Sequence, residues 1–179
     1  MLTNPLVKSL VSTSLAKYLT GGAFLGRNFI DLDSTASAHY LLAKPWQPVA
    51  DYSVQAVVYF QALQLQLTGN TSNFNSRILI GSDGSISWRA DTTPTALTAA
   101  GGTVSVNQLS IIKVVRIGSV GTIYVNGVSV ATGTVPTGSL DLDAFGRNQT
   151  GYSDGIISQV NLTDLTTPAN SEYYRLNSL

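Results

Sequence analysis

The carboxylates are the side chains best suited to acid–base chemistry in this sequence, and four of them form two spaced pairs. Asp31 and Asp33 make one pair, and Asp141 and Asp143 make the other. Residues two apart share a face of a β-strand, so either pair could place two carboxylates side by side. Such a pair could act as general acid and base, or could ligate calcium through oxygen. Asp is also common in turns at strand ends, so a structural role stays open for both pairs.

Other catalytic groups are scarce. The chain has one histidine, His39, and a single glutamate, Glu172, near its C-terminal end. It has no cysteine, which excludes thiolate catalysis and every cysteine-based metal site. One imidazole cannot form a histidine cluster, and a serine–histidine–aspartate arrangement would have to use His39. The sequence therefore predicts a protein that is not an enzyme and needs no cofactor or metal.

The composition is unusually poor in charge. Only 11% of the residues are Asp, Glu, Lys or Arg, against about 25% in ordinary globular proteins. Ten basic residues balance ten acidic ones, so no net field attracts nucleic acid or anionic lipid. No apolar run approaches the length of about 20 residues that spans a membrane. Uncharged polar surfaces suit a protein that packs against copies of itself, and we expect neither nucleic acid nor membrane as a partner.

The first 22 residues differ from the rest of the chain. Asn4 is a good N-cap and Pro5 falls at the first helical position. Apolar residues follow at spacings of three and four, and Gly21 and Gly22 then end the pattern. We predict an amphipathic helix over residues 4–20 within an N-terminal segment 1–22, used for anchoring or oligomerisation. Its expected assembly interface consists of Leu6, Leu10, Val11, Leu15 and Tyr18. The alternative is that the helix docks on its own domain.

After residue 22 the apolar period changes to two. Residues 52–60 alternate as expected for a strand with one apolar face, and Leu109–Ile117 is apolar on both faces, as in a central strand. Asn126 and Gly127 predict a type I′ hairpin that pairs Val125 with Val128 and Ile123 with Val130. Asp83-Gly84 predicts a second hairpin. Further strands are expected at 140–145 and at 155–165, the latter with Ile156, Val160 and Leu162 pointing inward. Short strands with such turns indicate an antiparallel sandwich or jelly roll over residues 23–179.

Two stretches of the chain resemble a known family. The run from Ile111 to Ala131, with Tyr124-Val-Asn-Gly at its turn, resembles the central hairpin of laminin-G-like or concanavalin A-like domains. The steps Asp143-Ala-Phe-Gly and Tyr152-Ser-Asp-Gly-Ile-Ile-Ser-Gln-Val are similar to the strands that follow it in that family. The resemblance covers about residues 28–165. It implies an all-β, antiparallel concanavalin A-like β-sandwich preceded by the short helix.

The closing segment suggests where such a module is used. Residues 164–176 resemble the segment that ends similar modules in bacteriophage tail, fibre and head-surface proteins. This resemblance and the charge-poor composition imply a structural protein of a bacteriophage virion. It would be a capsid decoration protein or a fibre or spike subunit, assembled in the bacterial host cytoplasm. The expected partners are further copies in a homotrimer and other virion proteins, such as the major capsid protein or tail proteins.

The alternative function is recognition of a carbohydrate on the host surface. Sugar binding needs an exposed aromatic ring for stacking, together with amide or carboxylate groups that hold hydroxyls. Each aromatic candidate could instead pack in the core or across strands. The predicted glycan contacts are Trp46, Tyr124, Asn126, Asn148 and Tyr152.

Overall fold

A computed structural model describes residues 30–32, 37, 39–48, 50–73, 75–90, 96–135, 140–149, 151 and 153–176. Every strand pairing within these ranges is antiparallel. The strands form two sheets that pack face to face, with one turn of 3₁₀ helix at Pro168–Asn170. The predicted all-β antiparallel sandwich is therefore confirmed.

The larger sheet, sheet A, has a path of six strands in the order β1-β12-β3-β8-β9-β10, and β13 also pairs with β12. Both β1 and β13 pair with the same side of β12, β1 opposite residues 155–157 and β13 opposite residues 159–162. The strands are β1 (Ile30–Leu32), β3 (Tyr52–Phe60), β8 (Gln108–Ile117), β9 (Val120–Val125), β10 (Val128–Thr134), β12 (Gly155–Asp164) and β13 (Glu172–Arg175).

The smaller sheet, sheet B, has the order β2-β11-β4-β5-β6-β7. The hairpin between β5 and β6 lies at Asp83-Gly84, as predicted, and Gly84 has a positive φ of 77°. All five residues of β4 are buried, so this strand is covered on both of its faces. The strands are β2 (Tyr40–Trp46), β4 (Leu65–Gly69), β5 (Arg77–Ile80), β6 (Ile86–Arg89), β7 (Leu97–Ala99) and β11 (Leu142–Phe145).

The core lies between the sheets and follows the period of two. The prediction for residues 52–60 is confirmed, because the even-numbered residues of β3 are all buried and point toward sheet B. Two aromatic clusters mark the core. Tyr52 makes edge-on contacts with Trp46 and Trp88 at ring-centre distances of 6.0 Å, and Phe145 contacts Tyr174 at 5.1 Å. Aromatic pairs at such distances stabilise a core beyond the area they bury.

The hairpin between β9 and β10 forms, but part of its predicted register is wrong. Asn126 and Gly127 have φ of 51° and 83°, as a type I′ turn requires, and Val125 pairs with Val128. A bulge between Ser129 and Ala131 then makes Ala131, rather than Val130, the partner of Ile123. A bulge inserts one residue into one strand, which shifts every later pair by one position.

A second bulge changes the prediction for β12. Ile157 pairs with Val58 and Gln159 pairs with Val57, so Ser158 is the inserted residue. Val160 and Leu162 point inward as predicted, opposite Ala56 and Val54. Ile156 does not, because it pairs with Tyr59 on the outer side, and Ile157 takes the inward position in its place.

The predictions for the N-terminal segment lie outside the described residues. These include the helix over 4–20, the boundary after residue 22 and the five predicted interface residues, Leu6 to Tyr18. Within the described ranges, no helix has the length and apolar character needed to cross a membrane.

Candidate functional site

Trp46 does not offer a surface to a sugar. Its ring is only 1% exposed and packs against Tyr52 in the core. Its indole N–H donates to the carbonyl oxygen of Asn170 at 2.7 Å, which fastens the C-terminal segment to β2. The buried Trp46 ring cannot stack against a sugar, so the predicted glycan contact at this residue is wrong. Trp46 instead packs in the core, which was the alternative for each aromatic candidate.

Tyr124 and Asn126 lie together near the tip of the β9–β10 hairpin. Tyr124 is partly exposed on the outer face of sheet A, opposite Lys113 and Ser129. Asn126 is exposed, but its side-chain oxygen accepts the N–H of Ile111 at 2.8 Å, and its own N–H donates to the Ile111 carbonyl at 2.9 Å. Asn126 thus holds the hairpin tip to β8, which leaves its side-chain N–H₂ group for any ligand.

Asn148 lies in the loop after β11 and contacts Gln66 of β4 in sheet B. It is 2% exposed, donates to the side-chain oxygen of Gln66 at 3.0 Å and accepts the N–H of Gly151 at 2.9 Å. These bonds fold the loop that follows β11 over the outer side of β4. Asn148 therefore satisfies a buried polar side chain, and Tyr152 lies outside the described residues. Among the described residues, Trp46 and Asn148 do not lie with Tyr124 and Asn126 at one place.

The carboxylate pair of Asp141 and Asp143 is not arranged for catalysis. The pairing of β11 with β2 is irregular at this point, where four residues of β2 lie opposite Asp143 alone. Both oxygens of Asp143 accept from Thr71, one from its N–H at 2.8 Å and one from its hydroxyl at 2.6 Å. Asp143 thus holds the loop after β4. Asp33 and the side chain of Asp31 lie outside the described residues.

Residues 151–155 read Gly-Tyr-Ser-Asp-Gly, which has the Gly-x-Ser-x-Gly spacing of a nucleophile elbow. An elbow exposes its serine on a turn that leads from a strand into a helix. Ser153 is instead fully buried, its hydroxyl accepts the N–H of Gln66, and the chain continues into strand β12. The spacing therefore marks a structural serine rather than a nucleophile.

His39 and Glu172 also have local partners. The His39 Nδ1 contacts the Ser37 carbonyl oxygen at 2.8 Å, and Arg147 approaches its Nε2 at 3.5 Å. Glu172 accepts the hydroxyl of Tyr174 and faces Lys44 at 3.7 Å. Burial and the nearby Glu172 raise the pKa of Tyr174 above its usual range. Within the described part of the chain, no three acidic or histidine side chains come together as a metal site.

The C-terminal segment is organised around Asp164, which is only 3% exposed. One carboxylate oxygen accepts the N–H groups of Thr166 and Thr167 at 3.0 and 2.7 Å, and the other accepts the side chain of Asn170 at 3.0 Å. Burial opposes the charged form, but these hydrogen bonds outweigh it and lower the pKa of Asp164. Hydrogen bonds to one buried carboxylate therefore hold the closing segment, residues 164–176, in place. This is the segment that resembles the end of phage modules.

The outer face of sheet A exposes aliphatic side chains, which were not predicted from the sequence. β8 is interior in its sheet, as predicted, but only its inner face is buried. On the outer face, Leu109 is 46% and Ile111 is 43% exposed. They lie beside Tyr59 and Val57 of β3, and Ile156 lies beside Tyr59. We call these five side chains the outer strip. The aliphatic alternation along 109–117 signalled it, but the pattern was interpreted as burial on both faces.

The outer face of sheet B has a different character. One outward row crosses five strands and consists of Leu41, Ala144, Gly69, Arg77 and Arg89. Arg77 is 7% exposed and faces Arg89 across the β5–β6 ladder. Burial and the charge of Arg89 lower the pKa of Arg77 to about 10. Arg77 therefore remains charged at neutral pH, and both arginines have further contacts within the protein.

The two packed antiparallel sheets define a lectin-type sandwich of the concanavalin A-like class. A family model described as the concanavalin A-like lectin/glucanases superfamily matches residues 33–169. The chain therefore belongs to this superfamily, and the expected family resemblance is confirmed. A comparison with the curated proteins finds no match to this sequence.

Solved structures share the fold at low sequence identity. Domains LG4-5 of the mouse laminin α1 chain are 12% identical, with a TM-score of 0.61 over 83% of this chain and 42% of that one. A native heptameric SAP-like pentraxin from Limulus polyphemus is 15% identical, with a TM-score of 0.55 over 80% of each chain. The enzymatically active domain of tailspike protein 2 from bacteriophage CBA120 is 14% identical, with a TM-score of 0.55 over 78% of this chain and 25% of that one. These likenesses show the fold alone.

Proposed function

We propose that this protein is a non-enzymatic structural module of a bacteriophage virion, either a capsid decoration protein or a fibre or spike subunit. In this proposal one edge of the sandwich is held to the particle and the opposite edge is displayed. Its neighbours would be further copies of the chain in a homotrimer and other virion proteins.

The observation that carries the proposal is the position of the two ends of the described chain. β1 and β13 lie end to end along β12, at one edge of sheet A. Leu176 closes this arrangement with a hydrogen bond from its N–H to the Ser158 carbonyl at 3.0 Å. The β9–β10 hairpin lies at the other edge of the same sheet. A module attached through either end would therefore present this hairpin away from its attachment.

Surface chemistry and the described carboxylates add support. A surface with little charge can pack against copies of itself without strong repulsion. Glycoside hydrolysis needs two carboxylates that face each other across a cleft. The oxygens of Asp143 and Asp164 accept protein hydrogen bonds, and Asp51 accepts the N–H of Gly118 at 2.7 Å. The tailspike domain is enzymatically active, but it belongs to a longer chain of which the shared fold covers 25%.

The test is whether the protein is part of the particle. Phage particles from the source of this sequence would be purified by density and washed at high salt. Mass spectrometry should recover peptides of this chain in a fixed ratio to the major capsid protein, and antibodies to the purified chain should label the particle surface. Recovery only from the soluble lysate would refute a structural role. Light scattering of the purified chain would separately test the homotrimer.

Carbohydrate binding is a second candidate, and the outer row of sheet B favours it. Arg77 and Arg89 put two positive charges side by side on an otherwise uncharged outward row. Arginine pairs well with carboxylate and phosphate groups because its guanidinium can donate two parallel hydrogen bonds. An acidic glycan is the ligand that this charge would recognise, although it would have to compete with the existing contacts of both side chains.

A glycan array would test this second candidate. We expect binding to sugars that carry carboxylate or phosphate, and a loss of about tenfold or more in Arg89→Gln. Lys113→Gln is the matched control, because it removes a positive charge from the outer face of the other sheet. Equal loss in both variants, or binding restricted to neutral sugars, would contradict a site at Arg77 and Arg89.

A further inference from the structure

The outer strip is an apolar surface that begins where the chain enters the sandwich. Ile30, the first residue of β1, pairs with Ile157 on the edge of β12. The next pair along β1 and β12 is Asp31 with Ile156. Across the sheet from Ile156, the neighbouring residues in the same row are Tyr59 of β3 and then Leu109 of β8. Val57 and Ile111 form the parallel row beside it. The strip thus runs across the strands from the entry edge toward β8.

The side chains of the strip lack charge and are unevenly covered. Ile156 is 4% exposed, whereas Leu109 and Ile111 at the far end are 46% and 43% exposed. Covering a large aliphatic side chain removes its apolar surface from water, which stabilises the state in which it is covered. An apolar partner of modest size would therefore gain substantially by lying on this end of the strip.

We propose that the occupant of the outer strip is the chain's own N-terminal segment, residues 4–20. The sequence predicts an amphipathic helix there, with Leu6, Leu10, Val11, Leu15 and Tyr18 on one side and Lys8 and Lys17 off it. The apolar side faces the strip and the two lysines face water. Docking of the helix does not depend on the virion role. It places the helix on the sandwich of its own chain rather than between separate copies.

The short link between the helix and β1 makes the outer strip the nearest partner of the helix. Residues 21–29 link the helix to Ile30 and reach at most about 30 Å when extended. β8 lies three strand spacings from β1, which is about 14 Å. The link therefore spans the distance with slack. A helix of this length is marginal in water without packing. Because it is tethered beside the strip, its effective concentration there is on the order of millimolar, which favours its own chain over a separate copy.

Disulfide trapping tests the proposal in the full chain. The protein has no cysteine, so Leu10→Cys combined with Ile111→Cys introduces the only two thiols. We expect oxidation to give a cross-link within one chain, seen as a monomer that migrates faster on a non-reducing gel. The matched control is Leu10→Cys with Thr98→Cys, because Thr98 is exposed on the outer face of sheet B. That variant should stay uncross-linked.

Three outcomes would overturn the proposal. Cross-linked dimers from the first variant would mean that the helix docks on another copy. Equal cross-linking in both variants would mean that the segment has no preferred surface. No cross-link in either variant would mean that residue 10 does not approach the strip.

Limited proteolysis gives a second readout that does not depend on cysteine. Trypsin can cut after Lys8 and Lys17, and docking should protect these bonds. We expect Ile111→Gln to speed this cleavage by about tenfold, since cleavage follows the open fraction of the segment. Thr98→Gln should leave the rate unchanged. An unchanged rate in Ile111→Gln would refute docking on the outer strip.

Discussion

The two faces of β8 carry similar residues in very different surroundings. Ile112 and Val114 on the inner face are 0% exposed, whereas Leu109 and Ile111 on the outer face are 46% and 43% exposed. Ile111 and Ile112 are neighbours of the same residue type in one strand. Their difference comes from the two faces of the sheet, because the inner side chain packs against sheet B, whereas no second layer among the described residues covers the outer one. A run of aliphatic residues therefore identifies a strand without showing how many of its faces are covered.

The inner face is not apolar along its whole length. Its last row joins Asp164, Tyr52 and Arg116 on three neighbouring strands. Arg116 is 3% exposed, donates to the Gly118 carbonyl at 2.9 Å and lies over the Tyr52 ring at 5.8 Å. Burial raises the pKa of the Tyr52 hydroxyl above its usual range. Inward polar groups are tolerated here because each charged group has hydrogen-bond partners, whereas Leu109 and Ile111 of the outer strip are apolar groups with little cover.

The comparison of the two isoleucines gives the largest expected effect. Ile112→Ala should lower the free energy of unfolding by about 3–4 kcal/mol, because it leaves a cavity in a packed core. Ile111→Ala should lower it by about 1 kcal/mol or less, because the side chain is only partly covered. Urea unfolding followed by tryptophan fluorescence would measure both, since Trp46 and Trp88 are buried. Equal losses would mean that the outer face is as well packed as the inner one.

The buried carboxylate gives the next effect. Asp164→Ala should cost about 2–3 kcal/mol at neutral pH, because hydrogen bonds to a charged group are among the stronger ones and their donors would lose their acceptor. Asp164→Asn is the matched control and should cost less, since its amide oxygen can still accept the N–H groups of Thr166 and Thr167. Thermal unfolding of the three proteins would establish the order. A cost in Asp164→Asn as large as in Asp164→Ala would mean that the charge, rather than the acceptor geometry, matters.

The same residue predicts a dependence on pH. The folded protein lowers the pKa of Asp164 below its unfolded value, which is about 3.9. Its contribution is therefore complete above about pH 4 and is lost as the pH falls through the lower, folded pKa. Unfolding measured from pH 6 to pH 2 should show the wild type losing its advantage over Asp164→Asn below about pH 4. A constant difference across this range would contradict the role of the charged carboxylate.

The sequence was sufficient for the fold because its signals are local and periodic. The alternation over 52–60 identified strand β3, and the Asn126-Gly127 turn identified its hairpin with the correct first pair, Val125 and Val128. The bulges at Val130 and Ser158 were missed, because an inserted residue has no characteristic composition and shows itself only in the pairing. Each bulge left the strand assignment right and moved particular side chains, such as Ile156, to the other face.

The candidate site was less predictable because surface roles depend on contacts between distant residues. Trp46 was interpreted as a sugar contact, but its partner Asn170 is far away in sequence. Asn148 likewise bonds to Gln66 of β4, and Asp143 bonds to Thr71 in the loop after β4. Residue type indicated that these side chains can make hydrogen bonds. Only the three-dimensional structure shows that these hydrogen bonds are made within the protein. It also shows that Arg77 lies beside Arg89.

The smallest effect concerns Asn126, which holds the hairpin tip to the outer-face residue Ile111. Asn126 has φ of 51°, a conformation that alanine adopts at a cost of roughly 1–2 kcal/mol. Asn126→Ala should therefore destabilise the protein by about 1–2 kcal/mol, whereas Asn126→Gly should cost about 1 kcal/mol or less, because glycine loses only the bond to the Ile111 N–H. Chemical unfolding would rank the variants, and hydrogen exchange would show faster exchange at Ile111 in both. If glycine were the more damaging substitution, the backbone strain of alanine at φ 51° would be smaller than the conformational entropy that glycine loses on folding. Both variants lose the bond to the Ile111 N–H, so the cost that they share reports what this bond contributes to the outer face of β8.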